Sequence, residues 1–321
     1  MAVTADAVVV GAGPNGLVCA NVLVDAGWDV VVLEAQPAPG GAVSSGSYLG
    51  PGFVADVCSA FYPLAAASPV IQRLHLEDHG LEWCHSPAVL AHPLPAGGAA
   101  VLYRDLDRTA EGVEAHGAGD GEAWKRLHRL WRQVSPALMQ SLFTPLPPVR
   151  GGAALLSAVG VSGLVRFLRF ALLPVRRLAE EELTGEAAAM LLAGCALHTD
   201  LAPEQAASAT FGWLLAMLGQ DVGFPVPRGG AGELTAALVR RLESKGGRLL
   251  CDQAVTAVEV RGGRARGVVT AGGQRYAARR AVMADVDAPR LYADLVGWDH
   301  LPARLRDDMG RFQWDYSTVK V

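Results

Sequence analysis

Residues 7–45 read AVVVGAGPNGLVCANVLVDAGWDVVVLEAQPAPGGAVSS, and the fold of the chain follows from this stretch. It opens on Ala7, Val8, Val9 and Val10, a run with the composition of a strand buried on both faces of a parallel sheet. Gly11, Gly13 and Gly16 follow at once. In a G-x-G-x-x-G turn the first glycine allows the tight bend, the second lets a pyrophosphate approach the backbone, and the third lets a helix lie close to the strand. The helix is predicted over residues 16–26, with its free N–H groups and positive dipole end directed at phosphates. Gly27 is placed to end it, and residues 29–33 form a second buried strand. Glu34 comes next, about 20 residues beyond the glycines, where a carboxylate accepts from a ribose 2′-hydroxyl and disfavours a 2′-phosphate. The stretch therefore predicts a site for an adenosine ribose without the extra phosphate, as in FAD or NAD. A flexible glycine loop is the competing reading. The strand before, the helix after and the acid closing the second strand all oppose it.

What separates FAD from NAD lies just beyond. Gly40 and Gly41, followed by Ser44 and Ser45, resemble the second glycine pair of flavoproteins of the glutathione-reductase type, which packs on the FAD diphosphate.

The composition narrows the class. With 321 residues the chain has room for about two domains. It is 51% hydrophobic, so a large core is available and a disordered or fibrous chain is excluded. A net charge of −4, with no basic cluster interleaved with aromatics, argues against a nucleic-acid surface. Positive charge is almost all Arg, since Lys occurs only at 125, 245 and 320. Cys19, Cys58, Cys84, Cys195 and Cys251 are widely spaced and form no C-x-x-C, which points to a reducing compartment rather than a zinc ribbon or a dithiol centre. No basic region leading into an apolar run precedes Ala7, so a secretory signal is not expected.

Further along, residues 69–83 predict a short helix with Val70, Ile71 and Leu74 on one face. His75, His79, His85 and His92 cluster nearby without an H-E-x-x-H or a set of carboxylates, so no metal site is expected. Residues 101–103 predict a strand facing a substrate cavity, and residues 112–121 a glycine-rich boundary. Trp124, Leu127, Leu130, Trp131, Val134 and Leu138 recur at helical period over 122–142. Residues 151–174 are the most apolar long stretch, yet Arg166 and Arg169 interrupt it and Arg176 and Arg177 follow. Those charges oppose a bilayer-spanning helix. A lid helix packed on the protein and an amphipathic helix lying on a membrane both fit. Residues 187–198 and 205–219 predict helices too short to span, apolar all round, that form core or line an apolar tunnel. From residue 225 the pattern returns to a glycine loop and a helix with Leu234, Leu238 and Leu242 on one face. Strands follow at 248–251, 255–260, 265–269 and 274–277, and a last buried strand at 281–284.

With these residues in hand, the chain resembles the phytoene desaturase and carotenoid isomerase group of the amine-oxidase-like FAD flavoproteins. Within it the chain is most similar to the proteins named for a pyridine nucleotide-disulfide oxidoreductase domain. The pieces carrying the resemblance are VVGAGPNGL, Glu34, PGGAVS, PGFVADVCSAFYP, HGLEW, GWLLAMLGQDVGFPVPRGGAGELTAAL and VTAVEVRGGRARGV. It implies an α/β fold: a Rossmann-like FAD/NAD(P)-binding domain of glutathione-reductase type with an inserted α+β substrate domain. The expected division is 1–105 with 225–295 for the cofactor and 106–224 with 296–321 for the substrate or lid. Gly11, Gly13, Pro14, Asn15 and Gly16 would hold the FAD diphosphate. Glu34 and Ala35 would meet the adenosine ribose, and Gly40, Gly41, Ala42 and Ser44 would pack on the diphosphate. The turn from Asp56 to Ser59, with Cys58 and Ser59, would run beneath the isoalloxazine. The Val255 backbone would meet the adenine, and Ala284 closes the last strand of the site. The resemblance also implies a glycine-rich C-terminal segment completing the flavin pocket, whereas the present sequence stops at YSTVKV, which reads as part of a strand. No disulfide chemistry follows, because the cysteine pair it needs is absent.

The expected activity is transfer of a hydride from a C–H bond of an apolar or amphipathic small molecule to flavin, as in a phytoene dehydrogenase. Oxygen, a quinone or NAD(P) would be the separate electron acceptor. The cofactor carries the difficult chemistry and the protein orients and desolvates. No G-x-S-x-G, P-loop or acid/base pair occurs, so no side chain receives a catalytic role. Isomerisation without net redox change is one alternative. A flavin-free binding protein of the small-GTPase dissociation-inhibitor type is another, opposed by the intact glycine motif with Glu34. An NAD-dependent dehydrogenase is the third. The expected setting is cytoplasmic, with or without peripheral membrane contact, as a single chain or a homo-oligomer, and with no nucleic-acid partner.

Overall fold

The computed structural model describes residues 3–95 and 97–314; the expected terminal strand over 316–321 lies outside them. In chain order the elements begin β1 (Val3–Val10), α1 (Pro14–Asp25), β2 (Val30–Leu33), β3 (Ser45–Gly46), β4 (Ala55–Asp56), α2 (Pro63–Ala67), α3 (Pro69–Arg73) and β5 (Trp83–Cys84). The middle of the chain gives β6 (Ala88–Pro93), β7 (Ala99–Tyr103), α4 (Leu106–Glu114), α5 (Asp120–Leu142), α6 (Val149–Leu172), α7 (Val175–Glu182), α8 (Glu186–Leu197) and α9 (Ser208–Asp221). Last come β8 (Val226–Pro227), α10 (Gly232–Ser244), β9 (Arg248–Leu250), β10 (Val255–Arg261), β11 (Arg264–Thr270), β12 (Arg275–Ala284) and α11 (Ala303–Met309). The chain forms two compact units. One takes in the chain up to Phe61, Val70–Cys84 and everything from Val226 on; the other is Tyr62–Pro69 with His85–Pro225.

The first unit is built on a six-stranded sheet in the order β10-β11-β12-β1-β2-β9. Strand β1 lies between β2 and β12 and is parallel to both, so Val8 and Val9 are fully buried, as an uninterrupted β-branched run demands. Strand β9 extends the parallel part beyond β2, while β10, β11 and β12 form the antiparallel meander. The β10–β11 turn is the pair Gly262 (φ 58°) and Gly263 (φ 70°), the left-handed geometry that matches strand twist in a two-residue hairpin. The separate strands expected at 274–277 and 281–284 are one continuous strand. Its first half pairs with β11 and the whole of it runs alongside β1. Arg279 and Arg280 break the hydrophobic pattern that would have joined them; Arg279 reaches Asp6 and Asp29 at the rim instead.

Helices α1 and α10 pack on one another and are tied by a buried polar lock. The Asn21 side chain donates to the carbonyls of Leu17 (2.9 Å) and Leu238 (3.0 Å). Arg241 donates to Asn21, to the Leu74 carbonyl and to the Asp25 carboxylate.

The second unit is mostly helical. Its core gathers Trp124, Trp131, Phe167, Leu191, Leu192, Trp213 and Met217 around the β6–β7 hairpin. Each of the three tryptophans finds an acceptor: Trp124 the Gln220 side chain (2.7 Å), Trp131 Asp221 (2.6 Å) and Trp213 the Leu127 carbonyl (3.0 Å). Helix α9 buries Trp213, Leu215, Met217 and Leu218, so these side chains are core. The hairpin, expected with the nucleotide-binding part, lies in this unit because Val89, Ala100 and Leu102 pack into its core. Residues 112–121 are not a boundary. Helix α4 covers the first of them, and Glu114 accepts the N–H groups of Gly119 and Gly121 at the start of α5. The segment from 296 on, expected with the substrate part, belongs to the first unit.

Candidate functional site: the dinucleotide turn

The end of β1 and the start of α1 form the turn that the glycine spacing predicts. Gly11 bends with φ 96°, which only glycine adopts readily. The helix starts at Pro14, whose fixed φ suits a first turn and whose missing N–H would be unpaired there anyway. The N–H groups of Gly13 and Asn15 have no partner among the described residues, so two donors at the positive end of α1 are available to an anion.

Glu34 follows β2 and is buried. Its carboxylate accepts the Ala12 N–H (2.8 Å) with one oxygen and the Gln36 N–H (2.9 Å) with the other, so it is oriented before any ligand arrives. The acid after β2 thus also fixes the glycine turn itself. Ala35 continues into the next loop, and the Gln253 N–H donates to the Glu34 carbonyl (2.8 Å), which brings the segment leading into Val255 alongside. Val255 begins β10 and is buried in the same cluster as Val8 and Leu33.

The second glycine pair lies against the first. The Gly40 N–H donates to the Ala12 carbonyl (2.8 Å), and a side chain at Gly41 would lie 3.6 Å from the Gly13 Cα. Gly40 has φ 122°, and a Cβ there would sit 2.6 Å from the Val43 carbonyl oxygen, so glycine is required by both backbone and space. Ser44 donates back to the Gly41 carbonyl, the Val57 N–H donates to the Ser44 carbonyl, and Ser59 donates to the Ala42 carbonyl at 3.4 Å. Cys58 is exposed on this loop. The sequence-selected residues 11–16, 34–35, 40–44 and 58–59 therefore form one continuous wall. Ala284 pairs with Val10 at the end of β12 and completes it.

Ser45 and Asp56, read beside the second glycine pair and in the 56–59 turn, take a further role here, and Asp285 joins the wall with no motif to mark it. Ser45 and Asp56 bond each other (2.7 Å) and take the N–H groups of Gly232 (2.8 Å) and Ala231 (2.7 Å), capping α10. Asp285 takes the Gly16 N–H at 2.8 Å. A signal for such a cap was present. Gly13 has no side chain with which to cap α1, and no acid occupies the first turn, so the cap has to come from elsewhere in the chain.

Burial pushes the Cys195 thiol up to about 12, and Cys19 and Cys251 are raised by burial with Asp285 and Glu34 respectively adding to the effect.

Residues 9–77 match the NAD(P)-binding Rossmann-like domain family. The chain carries a Rossmann-like nucleotide-binding domain. Its homologues include hydroxyneurosporene desaturase of Cereibacter sphaeroides, 30% identical over 317 residues that cover 90% of this chain and 58% of the relative. Prolycopene isomerase 1 of an Oncidium hybrid cultivar is 26% identical over 292 residues, covering 86% and 47%. The chain thus spans about half the length of these curated relatives. Among solved structures, putrescine oxidase bound to putrescine superposes with a TM-score of 0.60 at 18% identity, covering 97% of this chain and 64% of that one. The fold of this Rossmann-like chain is therefore like that of putrescine oxidase, and the resemblance to the desaturase and isomerase group read from the pieces quoted above is borne out. The turn fits a dinucleotide: two free N–H donors, an oriented carboxylate at the end of β2, and three glycines where side chains would collide.

Proposed function

We propose that this chain supplies the FAD-binding part of an oxidoreductase that removes a hydride from a C–H bond of an apolar or amphipathic substrate. The observation that carries the reading is the joined pair of glycine turns, with Gly40 bonded to Ala12 and Ala12 bonded to Glu34. Bound there, FAD would supply the hydride-accepting ring. The chain's own residues do the holding. The Gly13 and Asn15 N–H groups and the α1 dipole meet the diphosphate, Glu34 meets the ribose hydroxyls, and the 40–44 loop covers the phosphates. The same site serves an isomerase in which flavin stays reduced, a reading favoured by the likeness to prolycopene isomerase.

The test is to titrate the purified chain with FAD and with ADP, following flavin fluorescence and binding heat. Binding of both supports the reading. Stabilisation by NAD with no FAD binding would replace it with the dehydrogenase reading.

We further propose that α6 rests on a membrane surface. It is the one helix among the described residues long and apolar enough to cross a bilayer by length and composition, and only Gly151 and Phe167 on it are buried. The helix breaks at Gly160 (φ 69°), and beyond the break Val161, Val165, Leu168 and Leu172 form a single exposed stripe. Of the three arginines on this helix Arg169 pairs with Glu181, whereas Arg150 and Arg166 have no ion pair among the described residues and the helix carries no Asp or Glu, so the surface that complements this face is a bilayer carrying anionic lipid.

A further inference from the structure

We propose that Asp285 is the remote N-cap of α1, that it positions the diphosphate-binding turn, and that its carboxylate is a second reason, beside the approach of a pyrophosphate, for glycine at the second motif position. The proposal rests on the FAD reading for its ligand half and on apo geometry alone for the rest.

All three motif glycines face this one residue. A Cβ on Gly11 would lie 2.6 Å from the Asp285 carbonyl oxygen, and one on Gly16 would lie 3.0 Å from the Asp285 side chain. At Gly13 the three nearest atoms all belong to the Asp285 side chain, with Oδ2 at 2.6 Å. Backbone strain does not explain that glycine, since its φ of −67° and ψ of 173° suit any residue. Nor does crowding by backbone. An alanine there collides with a carboxylate that could swing away only by releasing the Gly16 N–H. Gly16 provides the contrast, because a Cβ there also meets the Gly11 carbonyl oxygen at 2.3 Å whatever stands at 285.

Asp285 reaches the turn through β12. Its own N–H donates to the Val10 carbonyl (2.8 Å), one step beyond the Val10–Ala284 pairing, so the strand register delivers the carboxylate to the helix start. By taking the Gly16 donor, it fixes the first turn of α1 and leaves the Gly13 and Asn15 donors aimed outward. Asp285 is thus a positioning residue that need not touch the ligand.

The experiment uses the 321-residue chain with Gly13→Ala, Asp285→Ala, the double variant, Asp285→Asn and the control pair Gly16→Ala with and without Asp285→Ala. Apo thermal unfolding and the dissociation constants of ADP and adenosine are measured. Gly13→Ala should lower the apo melting temperature by about 3 °C in the parent and change it little once Asp285 is Ala, the non-additivity of groups in contact. Gly16→Ala should not be rescued. Asp285→Ala should weaken ADP about tenfold and leave adenosine unchanged, while Asp285→Asn, whose amide oxygen still accepts the Gly16 N–H, keeps ADP affinity within about twofold. Additive effects of Gly13→Ala and Asp285→Ala overturn the coupling, and equal losses for ADP and adenosine overturn the positioning role. Failure of the parent to bind ADP overturns both the positioning role and the FAD reading; the apo cycle, which needs no ligand, then judges the Asp285–Gly13 contact separately.

Discussion

Arg241 is a cation held away from water by three kinds of acceptor: a carbonyl on Leu74, an amide on Asn21 and a carboxylate on Asp25. Its side chain is only 7% exposed, while Asp25 remains 38% exposed. Replacing it by Met keeps volume but orphans those acceptors. Because Asp25 can recover water, the loss should fall at the lower end for a broken buried pair, about 3 kcal/mol by urea denaturation. A loss below about 1 kcal/mol would show that the α1–α10 seam depends on its leucines instead. Local spacing marks the turn itself and is silent on its distant partners. Gly11, Gly13, Gly16 and Glu34 act within one βαβ turn, and their roles are written in local spacing. Asp285, Asp56 and Ser45 act on helix starts far from them in sequence, and no local pattern marks an aspartate as the cap of a distant helix.

Among the elements, α6 and the α4–α5 joint answer to different measurements. The exposed stripe on α6 repeats at intervals of four, three and four residues, and Arg150 and Arg166 on the same helix have no ion pair among the described residues. The chain should therefore sediment with phosphatidylcholine vesicles containing phosphatidylglycerol, less with phosphatidylcholine alone, and with neither after Val165→Asp and Leu168→Asp together. Unchanged sedimentation of that variant would remove α6 from the contact. At the α4–α5 joint, the N–H groups of Gly119 and Gly121 hold the Glu114 carboxyl below the ordinary carboxylate range. A group whose pKa is depressed by folding stabilises fully above its unfolded value, and that contribution fades as pH falls through the folded one. Glu114→Ala should lower the melting temperature at pH 7, and the gap to the parent should close below about pH 4. Most helices were legible from periodicity, α5, α9 and α10 to within a few residues. The β6–β7 hairpin was only half seen, because the prolines at 93 and 95 and the glycines at 97 and 98 hide its first strand. Strand β12 was split by its own arginines.

Across the whole molecule, the nucleotide-binding unit is assembled from three separate pieces of chain. A shortened chain ending at Ala284 keeps every glycine of the motif and all six strands of the sheet but lacks Asp285, and with it the buried Leu295. It should bind ADP at least about tenfold more weakly than the 321-residue chain, measured by binding heat. Equal binding would mean that the turn closes without its distant cap.

The bond from Gly16 to Asp285 spans 269 residues of sequence. At translation rates of about 5–20 residues per second, the ribosome needs on the order of 15–50 seconds to travel that distance. Throughout that interval the nascent chain carries a complete glycine motif whose helix has no cap. The nucleotide turn is thus synthesised well before the residue that caps its helix, and any cofactor captured in that interval meets a turn still without its distant partner.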